Sequence, residues 1–237
     1  YKIMVCISEN SREKELQYID LLYSHRVLGI VVCSHIGETM EHLDSNCPLI
    51  SFEREIAENI PAVLCDNYQG GILAANRLFD AGCRNIAIFN QPTKENIPAY
   101  SREKAFMKCC ENKKISGRVV YTDRLAPLSE EFGNNILELL KKNSDLDGIF
   151  ATSDVMAANI IRACKKMGKR VPEDISIVGF DDTWISTLTY PSITTIHQPV
   201  REMCEYAIEA IVKKVKSEKV PSQVVFPVEL IDRESTK

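Results

Sequence analysis

Ile175-Ser176-Ile177-Val178-Gly179-Phe180, running directly into Asp181-Asp182, is the stretch whose reading settles the architecture. Nearly every position is apolar, which suits a strand covered by helices on both faces. A sheet with one wet face would alternate instead. Upstream, Met156, Ile160, Ala163, Cys164 and Met167 fall on one helical stripe over 154–167, with Gly168 a natural stop and Pro172 soon after. Gly148-Ile149-Phe150-Ala151 precedes that stripe as another short apolar run. Strand, helix, strand is the repeating unit of a mostly parallel sheet.

The same alternation continues in both directions. Strands are predicted at 2–7, 28–33, 48–52, 62–65, 85–90, 117–121, 148–151, 174–179 and 222–232, and helices at 11–25, 67–81, 99–113, 129–142, 154–167 and 199–217. The clearest helix is the last, because Met203, Cys204, Ala207, Ile208, Ile211, Val212 and Val215 share one stripe. Ser129 is a plausible N-cap for 129–142, with Glu130 and Glu131 in the favourable first turn. The fold class is α/β, with mostly parallel, doubly wound sheets.

Composition narrows the function. The chain has 237 residues, 45% hydrophobic and 26% charged, which suits one large domain or two smaller lobes. Its formal net charge of −4 gives no basic footprint for a DNA backbone, so any nucleic-acid contact must come from a part not in this sequence. No apolar run is long enough to span a bilayer, and Tyr1 to Ile7 lacks the features of a signal peptide; a cytoplasmic address and no membrane partner are expected. Nine cysteines with no CxxC pair read as reduced, mostly core residues, and four scattered histidines (His25, His35, His42, His197) show no ligand spacing. No metal or cofactor is expected. Phosphate-loop, dinucleotide, nucleophile-elbow and HExxH motifs are all missing, so no catalytic residue is assigned; Asp154 with Asp181 is the one credible acidic pair.

In open α/β sheets ligands sit outside the carboxyl ends of strands. The polar residues there are Ser8, Asp66 with Asn67, Asn90 with Gln91, Ser153 with Asp154, and Asp181 with Asp182; Arg102 opens the helix at 99–113 and Trp184, the single tryptophan, follows Asp181 by three. Carboxylates, one guanidinium and an aromatic ring are what a polyhydroxylated ligand calls for: paired hydrogen bonds to hydroxyls, and a ring over the apolar face of a sugar. Each residue has a plainer reading. Asp154 or Asp66 serves equally as a helix cap, Asp181-Asp182 as a turn, Arg102 as a surface charge and Trp184 as packing.

The order of segments resembles the effector-binding domain of the LacI/GalR family of bacterial transcription repressors. The resemblance rests on Asp66-Asn67-Tyr68-Gln69-Gly70-Gly71, Asp147-Gly148-Ile149-Phe150-Ala151-Thr152-Ser153-Asp154, Val171-Pro172-Glu173-Asp174-Ile175 through Asp182, and Pro191-Ser192-Ile193-Thr194-Thr195-Ile196-His197-Gln198-Pro199. It implies a two-lobed, periplasmic-binding-protein-like fold (type I) with a small-molecule effector in the cleft between lobes, homodimerisation, and three interlobe crossings. These place 1–81 plus 198–226 in an N-terminal lobe and 82–197 plus 227–237 in a C-terminal lobe. It also places effector contacts at Asp66, Arg102, Ser153, Asp154 and Asp181, with Gln198 near the hinge; Ser8, Asn90 and Trp184 join them from the strand-end argument. Ser153 departs from the family, which often has Asn there, as do Ala105, Glu53 and Cys204 at their positions. A helix-turn-helix headpiece, and one further βα unit, would precede Tyr1.

The expected function is therefore a sugar-responsive effector-binding and dimerisation domain of a transcriptional repressor, with a glucoside or disaccharide as effector. A transport-type sugar-binding protein of the same fold is the alternative. Arg102→Ala is expected to abolish sugar-induced stabilisation and leave the fold intact.

Overall fold

The computed structural model describes residues 2–9, 11–33, 47–92 and 97–237; His35 and His42 lie outside these. The chain forms two compact units, one of residues 1–65 and 200–226, the other of 66–199 and 227–237.

In the first unit, α1 (Arg12–Ser24) leads to β1 (Ile30–Val32), β2 (Leu49–Phe52) and β3 (Ala62–Cys65), and the unit closes with α7 (Val200–Val215) and β9 (Gln223–Phe226). The sheet order is β1-β2-β3-β9, parallel throughout. Ser11 caps α1 by accepting from the Lys14 amide, and Ile30, Leu49 and Ile60 form a small core with Leu22, Val27 and Ile56 packed on it.

The second unit runs α2 (Asn67–Asp80), β4 (Asn85–Asn90), α3 (Tyr100–Lys113), β5 (Ser116–Tyr121), α4 (Glu130–Lys142), β6 (Gly148–Ala151), α5 (Asp154–Lys166), β7 (Ser176–Asp181), α6 (Trp184–Leu188), β8 (Thr194–His197) and β10 (Glu229–Ile231). Its sheet order is β10-β8-β7-β6-β4-β5, parallel except for β10, which runs antiparallel to β8. Ile86 to Phe89 and Ile149 to Ala151 are wholly buried, as strands covered on both faces must be. Phe89, Phe106, Phe132, Phe150 and Phe180 are also fully buried; full burial of each such ring is worth about 1.5–3 kcal/mol. The C-terminal tail is stitched in: the Ser235 hydroxyl donates to the Ile177 carbonyl at 2.6 Å and accepts from the Thr194 amide at 2.9 Å.

Three expectations are corrected. Residues 2–7 form no strand, and Ile3 and Val5 are 80% and 81% exposed; apolar character favours extension, but a strand needs a neighbour, and β1 ends the described sheet. The predicted strand 222–232 is two, because Pro227 separates β9, paired with β3, from β10, paired with β8. The first division falls between Cys65 and Asp66, not after Ala81, so the helix expected in the N-terminal lobe belongs to the second unit. The reason is the small-residue face of α2: a β-carbon on Gly71 would strike the Arg102 carbonyl of α3, and one on Gly70 would lie 2.6 Å from Phe180 Cε2. The remaining passages fall between Pro199 and Val200 and between Phe226 and Pro227.

Candidate functional site

Several of the second unit's buried polar side chains lie at the carboxyl edge of its sheet, and Arg102 is the centre of one cluster. The first turn of α3 carries it, and it is only 7% exposed. Its Nε donates to Asn67 Oδ1 at 2.6 Å, its Nη1 donates to the Thr152 carbonyl at 3.0 Å, and its guanidinium carbon lies 3.4 Å from the Phe180 ring centroid. A desolvated cation over an aromatic face is worth about 2 kcal/mol. Arg102 is thus a held, oriented fork, and the reading of it as a surface charge is excluded.

A second tier supports it. Asn90, 5% exposed, accepts from the Thr152 hydroxyl at 3.1 Å and donates to Glu103 Oε2 at 3.1 Å, while the Tyr121 hydroxyl donates to Glu103 Oε1 at 2.8 Å. Burial first, then the Glu103 carboxylate, pushes the Tyr121 phenol up to about 12. Asn90 was expected to touch a ligand; its side chain joins Glu103 to the Thr152 hydroxyl, which braces the loop whose carbonyl holds Arg102.

Asp154 is the centre of the other cluster. It is fully buried, its Oδ2 accepting from the Thr183 amide at 2.6 Å and hydroxyl at 3.1 Å, and its Oδ1 from the Thr195 hydroxyl at 2.6 Å. Gly179 makes room: a β-carbon there would lie 2.5 Å from Asp154 Oδ1. Burial pushes this carboxyl above its usual range, opposed by the Thr195 and Thr183 hydrogen bonds. With three protein donors already on about four acceptor sites, Asp154 braces β7, α6 and β8 rather than presenting open oxygens. The N-cap of α5 is Ser153, whose hydroxyl accepts from the Met156 amide at 3.2 Å; the N-cap of α2 is Asp66, accepting from the Gln69 amide at 2.8 Å.

β7 ends in a strained turn. Asp181 and Asp182 have φ of 102° and 56°, a region that costs a non-glycine residue about 1–3 kcal/mol and persists where the surrounding structure over-determines the backbone. Asp182 accepts from Arg233 Nη2 at 2.6 Å and contacts His197 Nδ1 at 3.0 Å. Burial raises its carboxyl, but the Arg233 and His197 hydrogen bonds outweigh this and leave it below the usual range. Gln198, 8% exposed, donates its backbone N–H to the Asp181 carbonyl at 3.5 Å. Trp184 is 71% exposed and so does not serve as packing. Ser8 belongs to the first unit and is not among these clusters.

Glu103, Tyr121, Thr152, Phe180, Thr183, Thr195 and Arg233 were not singled out in the sequence. Only Glu103 carried a signal, an acid next to Arg102 at a helix start. Among the described residues no group of three or more His, Cys, Asp or Glu is placed to hold a metal, and no helix is long and apolar enough to cross a membrane.

Residues 75–236 match the family model of a periplasmic binding protein-like domain. The ribose operon repressor of Halalkalibacterium halodurans is 31% identical over the whole of this chain and 71% of its own length. The chain belongs to the LacI family of transcriptional regulators. A second relative of this LacI-type domain is the sucrose operon repressor of Lactococcus lactis, 29% identical over 97% of the chain and 70% of that protein. A solved periplasmic binding protein/LacI transcriptional regulator from Alkaliphilus metalliredigens, complexed with D-xylulofuranose, is 33% identical, with a TM-score of 0.88 over all of this chain and 88% of its own. The type I periplasmic-binding-protein-like fold and the LacI-family effector domain stand on these matches, and they favour a regulator over a transport-type binding protein.

Proposed function

We propose that this LacI-type domain binds a sugar of the pentose class through the carboxyl edge of the second unit, and that binding governs the operator affinity of a repressor. The observation that carries the reading is Arg102: a buried guanidinium fixed by Asn67, Thr152 and Phe180 beside a strained acidic turn. Arg102 grips hydroxyls, Asp181 accepts from others, Ser153 and Asp66 offer oxygens beside their capping bonds, Gln198 contributes from the end of β8, and the exposed Trp184 covers an apolar sugar face. Asp154 and Asn90 hold this set in place. The ribose repressor and the xylulofuranose-bound regulator, both above 30% identical, favour a pentose over the glucoside or disaccharide expected from the sequence.

Control of DNA binding needs differential affinity. A sugar that binds two arrangements equally shifts nothing, and a swing from 1:99 to 99:1 takes about 5.5 kcal/mol of preference. In this reading the protein is a cytoplasmic binding domain and not an enzyme, operator contact comes through a helix-turn-helix segment joined to it, and the domain self-associates. Leu188 and Tyr190, 73% and 91% exposed beside α6, supply apolar surface for a second copy.

A thermal-shift screen against pentoses, ketopentoses, glucosides and disaccharides tests the proposal. At a hundredfold excess over Kd a ligand adds about 2.7 kcal/mol, or roughly 5–10 °C for a chain of this size. A saturable shift with pentoses supports the reading, and a panel with no shift removes it.

A further inference from the structure

The first unit holds five thiols that the site above does not use, and two of them are exposed. Cys33 directly follows β1, Cys204 lies on the second turn of α7, and both are exposed. Their placement follows from one close contact. A β-carbon on Gly29 would lie 2.6 Å from Ile211 Cγ2, so α7 presses on the chain where it enters β1, on the face to which Gly29 belongs. α7 ends at Val215 and β9 begins at Gln223 in a sheet whose strands are all parallel, so the helix runs antiparallel to β1. From Gly29 to Cys33 the strand advances about 13 Å and returns to the same face, since strand side chains alternate. From Ile211 back to Cys204 the helix covers about 10.5 Å in seven residues, within about 20° of two full turns. Both paths lead to the carboxyl edge of this sheet, and the bare Gly29 lets the helix settle close to the strand.

We propose that Cys33 and Cys204 are a thiol pair that closes reversibly to an intramolecular disulfide in the presence of a peroxide. The thiolate of Cys33 attacks one peroxide oxygen; the O–O bond breaks, water leaves, and Cys33 becomes a sulfenic acid. The Cys204 sulfur then attacks the Cys33 sulfur, the S–S bond forms, the S–O bond breaks, and a second water leaves. Two thiols lose two hydrogens and the peroxide is reduced to two waters. Partial burial and then the Cys204 charge push the Cys33 thiol up, with Arg54 opposing. Competing thiols are less suited: Cys65, Cys83, Cys110 and Cys164 are buried, and burial pushes Cys110 to about 12 and Cys164 to about 11. The bond would fasten the opening turns of α7, just past the passage at Pro199, to the end of β1.

The test takes the full chain, reduced and at low micromolar concentration, through a few equivalents of hydrogen peroxide. Alkylation, digestion without reductant and tandem mass spectrometry follow. The expected result is a peptide pair joined through Cys33 and Cys204, abolished by dithiothreitol, with two of the nine thiols lost. Cys204→Ala should stop the reaction at a Cys33 sulfenic acid, trapped with dimedone, with one thiol lost instead of two and no linked peptide, while Cys47→Ala, in the same tryptic peptide as Cys33, leaves the linkage unchanged. The wild-type map needs no variant to fold. Recovery of Cys33 and Cys204 as free thiols, as separately oxidised residues, or linked only between two copies overturns the proposal.

Discussion

Arg102→Met keeps the length and apolar stem of the side chain and removes the guanidinium alone. The fork's hydrogen bonds include those to Asn67 and to the Thr152 carbonyl, and it lies over Phe180. Charge-assisted bonds contribute about 1.5–3 kcal/mol each. Against their loss stands the desolvation cost of a buried cation, several kcal/mol, which the variant no longer bears. The net destabilisation should be about 2–4 kcal/mol, read as a lower urea midpoint at unchanged slope. The sequence-based expectation of an intact, unaffected fold is revised accordingly, because Arg102 is buried. Sugar binding loses at least one further bond of about 1.5–3 kcal/mol, so Kd rises about tenfold to a hundredfold. At a sugar concentration giving a wild-type shift of about 5–10 °C, a hundredfold weaker variant retains about 0.4 kcal/mol, or roughly 1 °C. A variant as stable as wild type would refute the structural role. One that responds normally to sugar would refute the binding role.

Asp181→Gly removes the carboxylate and relieves a positive-φ residue, so the sugar-induced shift should be lost while the chain still unfolds cooperatively; denaturation with and without sugar separates the two. Glu103→Ala should return the Tyr121 phenol from about 12 toward its ordinary value, seen in an ultraviolet titration, and weaken sugar binding severalfold as Asn90 loosens. The depressed Asp182 carboxyl contributes stability that is present above its ordinary value of 3.8 and lost as pH falls through its lower folded value. Asp182→Asn should therefore destabilise at pH 7 and differ little from wild type near pH 2, by urea midpoints. Tyr190→Ser should shift any self-association toward the monomer in sedimentation velocity and leave the Arg102-dependent sugar shift unchanged.

The strands β4, β6 and β7 were legible because burial on both faces leaves an unbroken apolar run, and that pattern has few other readings. Residues 2–7 carry the same pattern, yet pairing depends on a neighbour that local sequence cannot supply. A helix over 67–81 was legible, but not that its buried face of Gly70, Gly71, Ala74, Ala75 and Leu78 meets α3 and Phe180, so the first division was placed one helix late. The site shows the same limit. Arg102, Asp154 and Asp181 were found by their position at strand ends and helix starts. Whether each faces a ligand or a neighbour depended on Asn67, Thr152, Thr183 and Thr195, common residue types whose role appears only when the sheet brings them together.

The central claim is that Arg102 is the group on which a sugar closes. Nitrogen-15 spectra recorded while a pentose is titrated into the chain should show the Arg102 Nε–H resonance moving saturably with the same Kd as the backbone amides of Ser153 and Asp181. An Arg102 resonance that stays still while others report saturation would contradict it.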